Sequence, residues 1–498
     1  MLSSYLLAPI LIVYLLNIIA LVVYIINMFY LAAQGLRGKR LRPHRTAILH
    51  KLPQVTVQLP VYNERYVVER LLNACAALDY PQELLEIQVL DDSTDDTVEI
   101  VADTVGRLRA EGANMIHIHR KNREGFKAGA LANGLTSARG EFIAIFDADF
   151  VPPRNFLRGI LPHFVHDRIA FVQARWEHLN RDYSLLTLLQ SLSLDAHFAI
   201  DQPVRSNENF AFNFNGTAGV WRKSAILDAG GWKADTLTED MDLSYRAFLR
   251  GWSARFAADV EAPAELPVSI TAYRRQQYRW ARGILECAIK YLPIIWRSDF
   301  SLGRKVHATL HLTSYLLHLF TVSLMLIYPL LLFFAQQFPT LLEPIGFGLL
   351  MNTLALVPAF YFSVGQHLLR RRWLRSFPLI ALMTLLASGM ALNTMRAVFH
   401  IARKRVIPFE RTPKFGITYR AQSWRGNRYQ LNVEPLVILE ILLGIVNLFT
   451  ARLALQLGNY LMMIYAFVFA LGLFYCSGLT LAQALSARFF SRPAPAST

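Results

Sequence analysis

The sequence predicts an α/β domain with a mostly parallel sheet, inserted into an α-helical protein that passes several times through a membrane. Three observations carry this expectation. Of the 498 residues, 54% are hydrophobic, and the mean hydropathy is positive, which is too greasy for one ordinary soluble domain. Between Leu52 and about Trp296 the continuous apolar runs give way to polar residues, turn signals and short β-rich runs separated by helical stretches. Finally, Lys and Arg cluster beside the apolar runs and contribute to a net charge of +15.

The first element is a span. Tyr5 to Ala33 contain no Asp, Glu, Lys or Arg, and a bilayer core of about 30 Å needs only about 20 apolar residues in a helix. The run lacks the short core and small-residue cleavage site of a removable signal peptide. Arg37, Lys39, Arg40, Arg42, Arg45 and Lys51 follow without an acid among them, which places this end of the span in the cytoplasm. A basic balance of this kind also suits nucleic acid, but here much of the excess flanks apolar segments, so a membrane surface is the expected partner and nucleic acid is not. We divide the chain into residues 1–36 (first span), 37–51 (basic linker), 52–296 (soluble domain ending in an interfacial helix), 297–376 (two spans), 377–432 (interfacial helix and loop) and 433–498 (two spans and a tail).

Within the soluble segment, Val55–Leu59, Glu86–Leu90, Met115–His119 and Phe142–Phe146 read as strands alternating with helices. No GxGxxG motif is present to suggest a dinucleotide fold. Acids follow two of the strands directly, and open α/β sheets bind ligands beyond the carboxyl ends of their strands.

After Lys305 no charged residue of the Asp, Glu, Lys or Arg type occurs until Glu343, and none again until Arg370, which reads as two spans joined outside. The apolar stretch Phe377–Thr394 is basic at both ends, so it is expected to lie in the inner interface. Two last spans cover about Pro435–Thr450 and Asn459–Ala484, with Arg452 on their outer loop against the charge rule. Cys75, Cys287 and Cys476 are far apart, form no CxxC pair and read as buried thiols.

Several clusters are suited to chemistry. In "FDADF", Asp147 and Asp149 stand at i and i+2 after an apolar strand, so both carboxylates can point the same way; such hard oxygens suit Mg²⁺ or Mn²⁺, or simply form an acidic turn. In "LDDSTDDT" we assign Asp95 and Asp96 to helix capping, and Asp91 and Asp92 to a nucleotide. "TEDMD" is either a capping signal or the source of a general base, Glu239 and Asp240 being its candidates. "RRQQYRWARG" reads as an interfacial amphipathic helix on which Arg279 can also face a diphosphate and Trp280 a sugar. His307 and His311 have metal-ligand spacing without a third ligand and read as part of a helix entering the membrane, while His117 and His119 read as strand residues.

Taken in order, "QLPVYNE", "LDDSTDDT", "FKAGAL", "FDADF", "QARW", "FNGTAGVWR", "AGGW", "TEDMD" and "QQYRW" resemble the processive family 2 glycosyltransferases, most of all the plant cellulose-synthase-like A and C proteins and their bacterial relatives, which make mannan, glucomannan or glucan backbones. The resemblance is dense over Gln58–Gly283 and looser as far as "FERTPKF". It implies a GT-A-type cytosolic domain, a UDP- or GDP-hexose donor, Mg²⁺ or Mn²⁺, and a polysaccharide or lipid acceptor, in a plasma, inner or Golgi-type membrane. By motif, Tyr62, Glu64, Asp91, Asp92 and Lys127 would hold the nucleotide sugar with Asp147, which with Asp149 would carry the metal. Asp240, beside Glu239, would be the base, and Gln276, Arg279 and Trp280 would grip diphosphate and acceptor. Phe214, Asn215, Gly216 and Thr217 would line the acceptor; Asn215 stands where cellulose synthases have Cys. Phe409, Thr412 and Lys414 would belong to a gating loop over the donor. A glycolipid synthase acting on diacylglycerol could share these motifs and this topology. An inactive scaffold or transporter component is the other alternative, against which stand a half-soluble chain and the absence of an evident inverted repeat.

Overall fold

A computed structural model describes residues 2–38, 46–337, 356–405, 410–429 and 432–490. The soluble segment is built on seven strands: β1 Val55–Val61, β2 Leu85–Asp91, β3 Met115–His119, β4 Phe142–Ile145, β5 Ile169–His178, β6 Gly219–Arg222 and β7 Ser253–Ala264. They form one sheet in the order β3-β2-β1-β4-β6-β5-β7. β1 pairs in parallel with β2 and β4, and β2 with β3, which are the four strands the sequence announces. β6 runs antiparallel between β4 and β5, and β7 adds in parallel to β5.

Burial explains which strands were legible. β2 is buried along its whole length, β1 is nearly so, and both carry the aliphatic runs of strands covered on two faces. β6 is only four residues long, and β7 contains Asp259, Glu261 and Pro263, so neither shows a strand pattern. Parallel register then aligns the carboxyl ends: Val61 lies opposite Asp91 and Gln58 opposite Ile145. The loops carrying Tyr62, Asp92 and Asp147 therefore leave the sheet at one edge.

Helices cover both faces. Numbered along the chain, the first ten helices are α1 Leu2–Gly38, which precedes the sheet, α2 Val68–Ala76, α3 Thr97–Ala110, α4 Phe126–Ser137, α5 Phe156–Ile160, α6 Leu185–Ala196, α7 Gln202–Asn207, α8 Lys223–Asp228, α9 Glu239–Leu249 and α10 Ile270–Arg297. A single π-helical turn, His197–Asp201, joins α6 to α7. One core packs α2, α3 and α5 on the sheet; a second gathers Leu131, Phe171, Phe214, Trp221 and Tyr245 with the carboxyl-terminal half of α11 Leu302–Leu312. The three cysteines are free and buried, as expected.

The remaining helices among the described residues are α12 Leu316–Gln337, α13 Leu356–Leu368, α14 Trp373–Ala402, α15 Leu436–Gln456 and α16 Tyr460–Phe490. Among the described residues, five helices are long and apolar enough to cross a membrane: α1, α12, α14, α15 and α16. The stretch Phe377–Thr394, expected from sequence to lie in the interface, falls within α14. The helix runs for 30 residues, about 45 Å at 1.5 Å per residue, and contains Arg375 and Arg396 rather than ending at them. Arg396 is accommodated by pairing with Glu434. The expected span across 344–369 is described only over α13.

Two buried polar joints tie the soluble domain to these helices. Arg274, on α10, is paired through both guanidinium NH groups with Glu440 of α15, one contact at 2.7 Å, and Asn393 of α14 donates to the Arg274 carbonyl at 2.9 Å. Asp195, on α6, accepts from Gln366 Nε2 at 2.9 Å and pairs with Arg371 and His178. Removing one partner of such a buried pair strands a charge, so each joint fixes geometry more than it adds stability.

Candidate active site

At the carboxyl edge of the sheet a cavity of ≈ 200 Å³ opens between the soluble domain, α10 and the segment 411–414. Its floor is Asp147, just beyond β4. The Asp147 amide donates to Thr217 Oγ1 at 2.8 Å, and its carboxylate accepts from Lys127 Nζ at 2.6 Å. Lys127 sits in the first turn of α4, donates also to the Gly216 carbonyl at 2.9 Å and lies 3.8 Å from Glu239. Burial works against its ammonium, yet Asp147 and Glu239 hold its pKa above the usual lysine value. The cavity thus has a fixed positive charge beside a carboxylate.

Asp240 enters from the start of α9. Its Oδ1 accepts from the Met241 amide at 2.8 Å, and burial, then the charge of Glu239, push its pKa up to about 7. That value suits a proton acceptor working near neutrality. Two glycines make the placement possible. Gly216 has φ +77°, and a Cβ on it would lie 3.1 Å from Asp240 Oδ2. Gly283 on α10 meets the turn before α9 so closely that a Cβ would stand 2.5 Å from Thr238 Cγ2, which seats that turn directly on the arginine-rich helix. Thr238 occupies the N-cap position but makes no side-chain cap, so the capping alternative for this motif is not realised. Asp242 is structural: fully buried, it accepts from Lys290 Nζ and Tyr291 Oη, each at 2.5 Å.

The segment 410–429 closes the opposite side. Lys414 Nζ donates to Asp149 Oδ2 at 2.7 Å, Arg279 donates to the Glu410 carbonyl at 3.2 Å and Thr412 Oγ1 at 3.4 Å, and Arg411 pairs with Glu64 at 3.1 Å. Burial pushes Glu64 up to about 8 despite Arg411. Beyond the loop, Trp424 packs on Phe415, and Arg428 pairs with Asp96 at 3.3 Å. Phe409 lies outside the described residues.

The cavity collects Tyr62, Glu64, Asp92, Lys127, Asp147, Asp149, Asn215, Gly216, Glu239, Asp240, Gln276, Arg279, Trp280, Thr412 and Lys414, all expected from sequence. It does not collect three others. Asp91 is buried behind it, accepting from the Ser93 amide at 2.8 Å and facing His117 at 3.0 Å and His119 at 3.5 Å. Phe214 is core, against Phe171 and Trp221, and Thr217 serves Asp147 from below. Of the other "DD" pair, Asp96 holds the N-cap position of α3 without a side-chain cap and spends its carboxylate on Arg65 and Arg428, whereas Asp95, one residue earlier, accepts from the Thr97 amide at 3.0 Å. Sequence reasoning missed Arg120, which clasps Asp92 at 2.6 and 2.7 Å, and Arg123, whose guanidinium stacks 3.4 Å above the Tyr62 ring. Both lie in the basic run "RKNR" just past β3, at the edge where ligands bind, which was the available signal. Arg411 was also missed, one residue from Thr412.

Asp147 and Asp149 form a hard-oxygen donor set suited to Mg²⁺ or Mn²⁺, and each already carries an ammonium, so the pair is built to face positive charge. The group Asp91, His117 and His119 also has its ligand atoms within 4.8 Å of one another, but none of the three lines the cavity.

A second cavity, ≈ 360 Å³, begins where the first ends. Both are lined by Asn215, Asp240, Gln276 and Trp280, and the second continues past His197 to Tyr24 and Asn27 of α1 and Tyr315 before α12.

Comparison with known proteins accounts for this arrangement. Residues 53–283 match the model for "Glycosyltransferase like family 2". They form a family 2 glycosyltransferase domain. The chain is 44% identical over 261 residues to glucomannan 4-beta-mannosyltransferase 1 of Oryza sativa subsp. japonica, covering 51% of this chain and 50% of that protein. It is 48% identical over 236 residues to glucomannan 4-beta-mannosyltransferase 2 of Arabidopsis thaliana, covering 46% and 44%. The chain thus spans about half the length of the curated relatives it matches. A mannosyltransferase from Pyrobaculum calidifontis, solved with GDP-Man and Mn²⁺, shares the fold at TM-score 0.51 and 19% identity, over 80% of this chain and 100% of that one. The soluble domain is therefore GT-A-like, as expected from sequence.

Proposed function

We propose that this membrane protein transfers a hexose from a nucleoside-diphosphate sugar to the growing end of a β-linked mannan-type polysaccharide, with GDP-mannose as donor and inversion at the anomeric carbon. The observation that carries the reading is the position of Asp240, which lines both cavities and so meets donor and acceptor at once. The mannosyltransferase relatives support mannose over glucose, and the fold neighbour's GDP-Man and Mn²⁺ support the nucleotide and the cation.

In this reading the nucleoside lies against Tyr62, Arg123 and Asp92, and the diphosphate lies between Lys127 and Arg279. Asp240 takes the proton of an acceptor hydroxyl as that oxygen bonds to the anomeric carbon, and the bond to the diphosphate breaks with its electron pair leaving on the nucleotide. A divalent cation on Asp147 and Asp149 would neutralise the diphosphate. Lys414, paired with Asp149, would have to yield that carboxylate to a cation held there. Trp280 offers its ring to the C–H face of the acceptor sugar. The second cavity, running to α1 and α12, carries the product from a cytosolic active site into the membrane and couples synthesis to export.

The test is turnover of the purified chain with Mn²⁺ and either GDP-mannose or UDP-glucose, followed by nucleotide release and by separation of polymer from extractable lipid. Nucleotide release with mannose-containing polymer is expected. Turnover of UDP-glucose alone, or product confined to a glycosylated diacylglycerol, overturns the reading.

A further inference from the structure

Asn215 stands at the junction of the two cavities, and its carboxamide is held from behind by a chain of buried polar groups. The Asn215 amide N–H donates to Gln173 Oε1 at 2.9 Å, which fixes the backbone. Its Oδ1 accepts from Asn213 Nδ2 at 3.2 Å and lies 3.3 Å from His197 Nε2. On the far side of the imidazole, His197 Nδ1 faces Asp201 Oδ2 at 3.3 Å, and Asp201 Oδ1 accepts from Arg205 Nε at 2.8 Å. Burial opposes the Asp201 charge, but Arg205 and His197 hold its carboxyl well below the usual range, so the anchor of the chain is ionised.

The backbone is shaped to make this possible. His197 to Asp201 is the one π-helical turn among the described residues, set between α6 and α7, and both ends of the relay's imidazole–carboxylate contact come from it. Such turns are rare and recur at functional sites because they re-aim side chains that a continuous α-helix would point elsewhere. The result is an amide with its oxygen committed to the protein and its nitrogen not. Asn215 Nδ2 is buried and has no hydrogen-bond partner among the described residues, although the residue lines both cavities. A buried donor left unmade is costly, and a ligand hydroxyl at the junction would satisfy it.

We propose that His197, Asp201 and Arg205 are positioning residues that orient the Asn215 carboxamide so that Nδ2 donates to a hydroxyl of the acceptor sugar beside Asp240. This rests on the glycosyl-transfer reading above. The relay selects the acceptor and does not take part in donor binding, because its members line the acceptor-side cavity and, Asn215 apart, not the donor-side one.

The experiment compares full-length wild type with Asn215→Ala, His197→Ala, His197→Gln, Asp201→Asn and the Asn215→Ala, His197→Ala double variant. Each is assayed for acceptor KM with a soluble oligosaccharide, donor KM, and donor hydrolysis in the absence of acceptor. Asn215→Ala and His197→Ala should each raise acceptor KM about 10-fold, the worth of one hydrogen bond, with donor KM and hydrolysis changed by less than about 2-fold. The double variant should be no worse than Asn215→Ala alone, because His197 acts only through it. His197→Gln, whose amide can still donate to Asn215 Oδ1, should recover most of the loss. If His197→Ala does not fold, Asp201→Asn and His197→Gln carry the comparison. A purely structural role would instead lower the thermal midpoint and raise donor KM alongside acceptor KM, with losses that add in the double variant; either that pattern or an unchanged acceptor KM overturns the relay. A wild type that turns over no sugar nucleotide overturns the transfer reading itself, and is distinguished by the hydrolysis control.

Discussion

Gly216→Ala is a one-methyl perturbation whose effect follows from two distances and one angle. At φ +77° an alanine is held in the left-handed region, which costs roughly 1–2 kcal/mol. The added Cβ would stand 3.1 Å from Asp240 Oδ2, so the carboxylate must retreat by a few tenths of an ångström, and 3.4 Å from Lys127 Nζ, at van der Waals contact. In the transfer reading proposed above, they are the base and the residue that holds Asp147. Since about 1 Å of misplacement costs on the order of 100-fold, a shift of that size together with the strain should lower kcat by about 10-fold. Donor KM should change little, because Tyr62, Asp92 and Arg123 are untouched. The assay is nucleotide release under saturating donor, with thermal unfolding followed in parallel; the midpoint should fall by a few degrees, in line with ~2–4 °C per kcal/mol for a domain of this size. Wild-type kcat in a chain whose midpoint has dropped as expected would show that Asp240 does not need its present position, and would refute the reasoning.

Asp149→Ala should cut transfer at least ~100-fold and remove its dependence on added Mn²⁺, as measured by rate against metal concentration after chelation; full activity in EDTA would rule the metal role out. Trp280→Ala should abolish elongation while nucleotide binding, read by titration with nucleoside diphosphate, survives. A Thr412→Ala, Lys414→Ala double variant should turn over slowly at saturating donor and lose any protection of the 410–415 segment from protease by nucleoside diphosphate; unchanged turnover with cleavage indifferent to nucleotide would make this stretch a linker.

How much of this was legible in the sequence depended on whether a residue's role is local. β1 to β4 announced themselves because each is a short aliphatic run bounded by turns, and the acids after them sit where an open sheet presents its edge. Asp147 and Asp149 were readable for that reason, and Asp240, at the start of α9, from the acidic cluster of its own motif. Asp91 and Asp92 were not separable, because which of two adjacent carboxylates faces the ligand depends on partners 26 and 28 residues away, His117 and Arg120. Phe214 and Thr217 belong to the same motif as Asn215 and Gly216, but both side chains are buried, Phe214 against Phe171 and Trp221 and Thr217 beneath Asp147. The length of α14 was hidden because charge was taken as the end of an apolar element, whereas Arg396 stays in the helix through its pairing with Glu434. His197 and Asp201 carried no motif at all; only the π-turn brings them toward Asn215.

The most direct test of the central claim is the transfer rate of Asp240→Asn measured beside its affinity for the donor nucleotide. The substitution keeps the shape of the side chain, including an oxygen for the Met241 amide, and removes only the ability to accept the proton. The account predicts a loss of about 100-fold or more in transfer with nucleotide affinity within about 2-fold of wild type. Transfer at close to the wild-type rate would contradict it.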